Sequence, residues 1–145
     1  MEIPEYVTIA EVKRVCKELG IRDWTKLKKP KVQTEEARKI LPHVNREKMR
    51  IPIEYFCEGL EVELEHGTRF PDANVTNNHP ILTGKIVMAH FKESLDYYKR
   101  LEVAELEGDL LKAVLAENAA KTKAYYKRLA KAKNSLSQAE SRQLK

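Results

Sequence analysis

Residues 54–101 constrain this chain more than any other stretch, because they hold two amphipathic helical patterns joined by a run of turn-forming side chains. Placed at ~100° per residue, residues 52–66 put Ile53, Phe56, Cys57, Leu60 and Leu64 on one apolar stripe. Tyr55, Gly59, Val62 and His66 form a second stripe beside it. Glu54, Glu58, Glu61 and Glu65 gather on the remaining face and are expected to be solvated, whereas Glu63 falls in the seam between the stripes and is expected to be buried. Gly67 is expected to end this helix, since glycine accepts the left-handed conformation of a helix exit. The second pattern starts at Pro80 and aligns Thr83, Ile86, Val87, His90, Ser94, Tyr97 and Leu101, with Glu93 on the flank and Lys85, Lys92, Asp96 and Lys99 opposite.

Each pattern carries a histidine and a glutamate three residues apart, Glu63 with His66 and His90 with Glu93. If the two helices pack antiparallel, His66 meets His90 at one level and Glu63 meets Glu93 at another. Two imidazoles and two carboxylates converging between helices is how bundle-core metal sites are built, and a divalent metal is the cofactor they would take. The second motif is reversed relative to the paired Glu-x-x-His of di-iron bundles. The plainer alternative is a core histidine hydrogen-bonded to a carboxylate, with no metal.

The words Gly59-Leu-Glu-Val-Glu-Leu-Glu-His-Gly67, Asn74-Val-Thr76, Pro80-Ile-Leu-Thr-Gly-Lys-Ile86, Ala89-His90 and Asp96-Tyr-Tyr98 through Leu101 resemble a family of small proteins of unknown function. Its members occur in bacterial, phage and large-virus genomes. The resemblance covers residues 59–101, with a weaker echo in Leu19-Gly-Ile and Asp23-Trp-Thr. It implies an all-helical domain with no established activity. Two departures stand out: His79 occupies a position that is usually acidic in the family, and Ser94-Leu95 replace a residue-proline pair before Asp96.

A chain of 145 residues is long enough to bury a core without staples. Cys16 and Cys57 are too few for a disulfide framework or a zinc site. No apolar run approaches the ~18 residues of a membrane span, and no signal-peptide pattern opens the chain. The expected setting is the cytoplasm, or a virion if the source is viral, with no membrane partner. The fold class expected is all-α: a small helical bundle built on an antiparallel helix pair, with a long C-terminal helical arm. Helices are expected near 8–19, 34–41, 52–66, 80–107 and 109–134. Thr8 and Glu11 form a capping box and Val7 with Val12 a hydrophobic staple. Ile9, Val12, Cys16 and Leu19 should face inward, and Gly20 should close the helix. Trp24, beside the run Lys26-Leu-Lys-Lys-Pro30, reads as a core plug under solvated lysines. Thr34 is the expected cap of the next helix, with Pro42 as its stop.

Residues 1–107 are expected to form the helical domain and 108–145 a basic arm, separated by Gly108. Tyr97-Tyr-Lys-Arg-Leu101 recurs as Tyr125-Tyr-Lys-Arg-Leu129, four heptads later. Leu111, Leu115, Asn118, Thr122, Tyr125, Leu129, Ala132 and Leu136 follow a weak coiled-coil seam, of which Leu111, Leu115, Tyr125 and Leu129 are the expected partner-binding side chains. The other face carries Lys121, Lys123, Lys127 and Arg128, a candidate nucleic-acid surface with Tyr125 and Tyr126 available for stacking. Residues 135–145 read as a frayed polar end. With no nucleophile–base pair or cofactor fingerprint, the leading expectation is a non-enzymatic structural or assembly component that binds protein partners or its own copies. A metal-binding helical protein and a nucleic-acid-binding accessory protein are the alternatives.

Overall fold

The first helix opens on one half of the expected capping box: Thr8 caps it, while the Glu11 carboxylate accepts from Arg14. The structure, a computed structural model, describes residues 4–144. The Glu11 N–H donates to Thr8 Oγ1 at 3.2 Å at the start of α1 (Ile9–Leu19). Gly20 closes α1 at φ +60°, its N–H and that of Ile21 reaching the carbonyls of Lys17 and Cys16. Val12 and Cys16 are buried, but Ile9 is exposed and Val15 takes the inward place expected of it.

The chain is all-α, with six α-helices and two short 3-10 turns and no strand among the described residues. It divides into two units, Met1–Lys92 and Glu93–Lys145. The boundary expected at 107/108 therefore lies inside a helix. In the first unit α1 is followed by a 3-10 turn at Trp24–Lys26, α2 (Thr34–Val44), α3 (Ile53–Arg69), a second 3-10 turn at Pro71–Ala73, and α4 (Pro80–Glu93), whose last residue is already counted in the second unit. Trp24, Ile40, Phe56, Leu60, Leu64, Val12 and Val87 are fully buried in its core. Each such side chain contributes about 1.5–3 kcal/mol by leaving water.

Three boundaries in this unit differ from expectation for local reasons. Gln33, not Thr34, is the N-cap of α2, and its N–H donates to the Glu36 carboxylate at 2.9 Å. Pro42 sits inside α2, which runs on to Val44; proline removes only its own N–H bond, and so close to the free end the helix absorbs the loss. α3 continues through Gly67 to Arg69. There the missing side chain makes room instead: a Cβ on Gly67 would lie 2.0 Å from Asn78 Oδ1 and 2.6 Å from Asn74 Cγ.

The second unit is a helical hairpin of α5 (Tyr97–Leu115) and α6 (Ala119–Gln143), packed against each other. The helix expected over 80–107 is thus broken at Ser94–Asp96, where the Ser94 hydroxyl donates to the Asp96 carboxylate. Ser and Asp side chains compete with the backbone in this way. Gly108 lies mid-helix in α5 with open space around it, because glycine there costs only about 1 kcal/mol. The turn falls at residues 116–118 and forms a Schellman motif, with the Asn118 N–H on the Ala113 carbonyl (3.0 Å) and the Glu117 N–H on that of Val114 (2.9 Å). Asn118 Oδ1 then accepts the Lys121 N–H at 3.0 Å as cap of α6. Residues 135–143 are helical and tied down, with Glu140 on Arg100 (2.7 Å) and Gln143 on Asp96 (3.3 Å); Lys145, also expected to be frayed, lies outside the described residues.

Candidate functional site

Two places carry the side chains singled out by the sequence, one in each unit. On α3, the seam position does bury Glu63: its side chain is 9% exposed. Glu65 is more open and Glu54 is exposed. Glu61 departs from the solvated face expected of it, because it accepts the Val32 N–H (3.1 Å) and pairs with Lys31 (2.8 Å).

Glu63 stands between two imidazoles. Its Oε1 is 3.5 Å from His90 Nε2 and its Oε2 is 3.7 Å from His66 Nδ1. His66 is largely exposed, and its Nδ1 also lies 3.2 Å from the Glu63 carbonyl one turn back. Glu63 therefore meets His90, where the sequence expectation paired it with Glu93. Glu93 is exposed at the end of α4. Among the described residues no group of three or more His, Cys, Asp or Glu is arranged to hold a metal ion. As it stands, the cluster is a carboxylate between two imidazoles, and its approach to His90 links α3 to α4.

Other polar groups in this unit are stronger organisers, and sequence reasoning missed them. Glu36 is buried and accepts from Arg22 Nη2 (2.6 Å), Arg22 Nε (2.9 Å), the Arg22 backbone N–H (3.1 Å) and Trp24 Nε1 (3.3 Å) as well as the Gln33 N–H. Burial alone would push its carboxyl up, but these bonds together hold it below the ordinary carboxylate value. His79 is buried directly before α4, and its Nδ1 accepts the N–H groups of Ile81 (3.2 Å) and Leu82 (3.4 Å). An imidazole here does the work of an N-cap. Burial pushes the His79 pKa down, opposed by Glu11. Asn78, left-handed at φ 60°, donates to the Trp24 carbonyl at 3.4 Å and locks the loop onto the core.

In the hairpin the expected partner-binding residues separate into two sets. Leu129 is buried with Leu106 and Ala132, and Tyr125 packs against them; these two serve the hairpin's own seam, because α6 folds back on α5. Leu111 and Leu115 stay on the surface with Val114 and Tyr126, all between 52% and 75% exposed. Those four cluster toward the closed end of the hairpin. Of the candidate nucleic-acid residues, Lys121, Lys123, Lys127 and Arg128 are all exposed. The Arg128 guanidinium lies 5.7 Å from the Tyr125 ring centroid, which engages that ring in the chain's own cation–π contact. At the turn itself Glu117 adopts φ 52°, a left-handed state that costs a non-glycine residue about 1–2 kcal/mol.

The chain belongs to the family described as Protein of unknown function (DUF5661), whose model matches residues 12–107. No curated protein and no solved structure matches it. The match takes in nearly all of the first unit and ends within α5, leaving the hairpin turn and α6 outside it.

Proposed function

We propose that this chain is a non-enzymatic component of a larger assembly, joined to it through the closed end of the α5–α6 hairpin. The observation that carries this reading is the exposed cluster of Leu111, Val114, Leu115 and Tyr126. Single exposed apolar residues need no explanation, whereas four large ones at one end of a small hairpin form a patch of the kind that marks interaction surfaces. The chain's polar clusters support the same reading from the other side. Glu36, His79 and Asp96 are committed to hydrogen bonds that hold backbone and helix ends. The resemblance of its sequence to proteins from phage and large-virus genomes makes a virus particle one setting for such a component. No helix among the described residues is long and apolar enough to cross a membrane.

A photo-crosslinking side chain in place of Leu115, used in the native source, tests the reading. Discrete adducts from position 115, absent when the probe stands at exposed Lys28 of the first unit, are the expected result. Equal or absent labelling from both positions would overturn it. Leu111→Ser with Leu115→Ser should abolish recovery of the same partner while leaving the far-UV spectrum unchanged.

A further inference from the structure

We infer that the closed end of the hairpin receives an acidic amphipathic helix from a partner protein. Apolar side chains of that helix enter the groove beside Val114 and Tyr126, and its carboxylates meet Lys123 and Lys127. This rests on the assembly reading and adds the chemistry of the partner. The groove is shallow and open, about 650 Å³, and its lining includes Val114, Ala119, Thr122 and Tyr126, a form that suits side chains laid along a surface. Lys123 and Lys127 flank Tyr126 on its rim, against a single rim carboxylate, Glu117.

The argument for an acidic partner comes from how the hairpin uses its charges. Arg100 pairs with Asp96 and Glu140, Lys112 with Asp109, and Lys133 with Glu107. Among the described residues no carboxylate pairs with Lys123, Lys127 or Lys131, which follow one another at four-residue steps along the exposed side of α6, the first two on the groove. Water solvates these ammonium groups in the free chain, and an acidic partner would complement them on binding. An apolar floor with a cationic rim fits an amphipathic helix with acidic flanks, read as side chains at i, i+3, i+4 and i+7.

Two other occupants fit less well. A nucleic-acid backbone would meet the lysines but leave the apolar floor unfilled. A second copy offers α3, which presents no exposed large apolar side chain, or α5, where the carboxylates nearest the exposed leucines, Glu107 and Asp109, already pair with Lys133 and Lys112.

The test uses the full chain and a fluorescein-labelled designed peptide of about 18 residues, five helical turns at ~3.6 residues each, with a leucine stripe and glutamate flanks. Fluorescence anisotropy should show binding that weakens as salt is raised. It should drop about tenfold for Lys123→Glu with Lys127→Glu and disappear for Tyr126→Ser. A peptide with lysine flanks should restore binding to the double charge variant, which also shows that the variant is folded. A scrambled peptide of equal composition binding as well as the designed one would overturn the inference. So would binding of a DNA oligonucleotide but not the peptide, or self-association in sedimentation that excludes the peptide. If the peptide fails while position 115 still crosslinks to a partner, the acidic-helix inference falls and the assembly reading stands. If both fail, both fall.

Discussion

Replacing Gly67 by alanine should destabilise the first unit, although alanine is the better helix former. Gly67 lies inside α3, so the substitution gains about 1 kcal/mol of helix propensity. Against that, the new Cβ would stand 2.0 Å from Asn78 Oδ1 and 2.6–2.7 Å from two atoms of Asn74. Ordinary carbon contacts need about 3.5 Å, so both asparagines must retreat. Asn78 is buried and left-handed, and its retreat breaks its bond to the Trp24 carbonyl and its backbone bond to Asn74 Oδ1. Overpacking costs about 1–3 kcal/mol, and each lost bond about 1 kcal/mol more. The net expectation is a loss of about 2–4 kcal/mol. Trp24 is the only tryptophan and is fully buried in this unit, so its fluorescence during urea unfolding reads the relevant core. Gly108→Ala is the matched control, because nothing lies within 4 Å of its Cβ position; it should stabilise α5 by about 0.5–1 kcal/mol. A Trp24 midpoint for Gly67→Ala that is unchanged or raised would refute the reasoning.

Four further outcomes follow from the structure. Glu36→Gln weakens the hydrogen bonds that Arg22 and Trp24 make to a buried carboxylate, while the part-exposed Arg22 stays solvated, and should cost about 1–3 kcal/mol, read as a lower urea midpoint of Trp24 fluorescence. Because the folded pKa of His79 is lowered from 6.5, the unfolded chain binds more protons below that value. Stability should therefore fall as pH drops below about 6.5, and His79→Asn, which keeps a cap oxygen, should flatten that decline between pH 7 and 5 in thermal melts. Glu36, also lowered in the fold, should add a second loss as pH falls below about 4.5, absent in Glu36→Gln, with the sign fixed by the protonated carboxyl having to form in the unfolded state first. Glu117→Gly should raise the hairpin's stability by about 1 kcal/mol by relieving the left-handed φ, measured by far-UV circular dichroism.

What was legible in the sequence was what depends on near neighbours. Thr8, Glu11 and Gly20 mark the ends of α1 because capping is decided within one turn. Glu63 could be placed in a buried seam because a helical wheel needs only its own helix, and Trp24 as a plug because a large apolar ring rarely stays in water. What was not legible involved partners at a distance. Glu36 looked like a dipole-complementing residue, and its role depends on Arg22 and Trp24 across a loop. The break at Ser94–Asp96 depends in part on Arg100 and Gln143 gathering on Asp96. The turn at 116–118 was masked by Glu117, which occupies a position where glycine would have announced it, while Gly108 and Gly67, which looked like stops, lie inside helices. The wheel also could not tell Glu61 from its neighbours, since the Val32 N–H that occupies it comes from another segment.

The uneven use of polar groups is the strongest reason to place function at the hairpin. In the first unit, the buried polar side chains that cost most to desolvate, Glu36, Asn78 and His79, are each answered by named donors or acceptors. At the closed end of the hairpin the opposite holds. Leu115 and Tyr126 remain in water, Lys123 and Lys127 make no ion pair among the described residues, and Glu117 holds a strained backbone. Only the Glu117 backbone subtracts from the hairpin's stability, while the exposed side chains gain nothing on folding, and none of them is required by the seam of Leu106, Leu129 and Ala132. A ligand that binds only the folded state raises stability by RT ln(1 + [L]/Kd), about 2.7 kcal/mol at a hundredfold excess over Kd. A partner seated on this end would therefore stabilise the folded chain by burying Leu115 and Tyr126. The bound hairpin should unfold at a higher temperature than the free one, and Tyr126→Ser should remove that difference while leaving the melting of the free chain nearly unchanged.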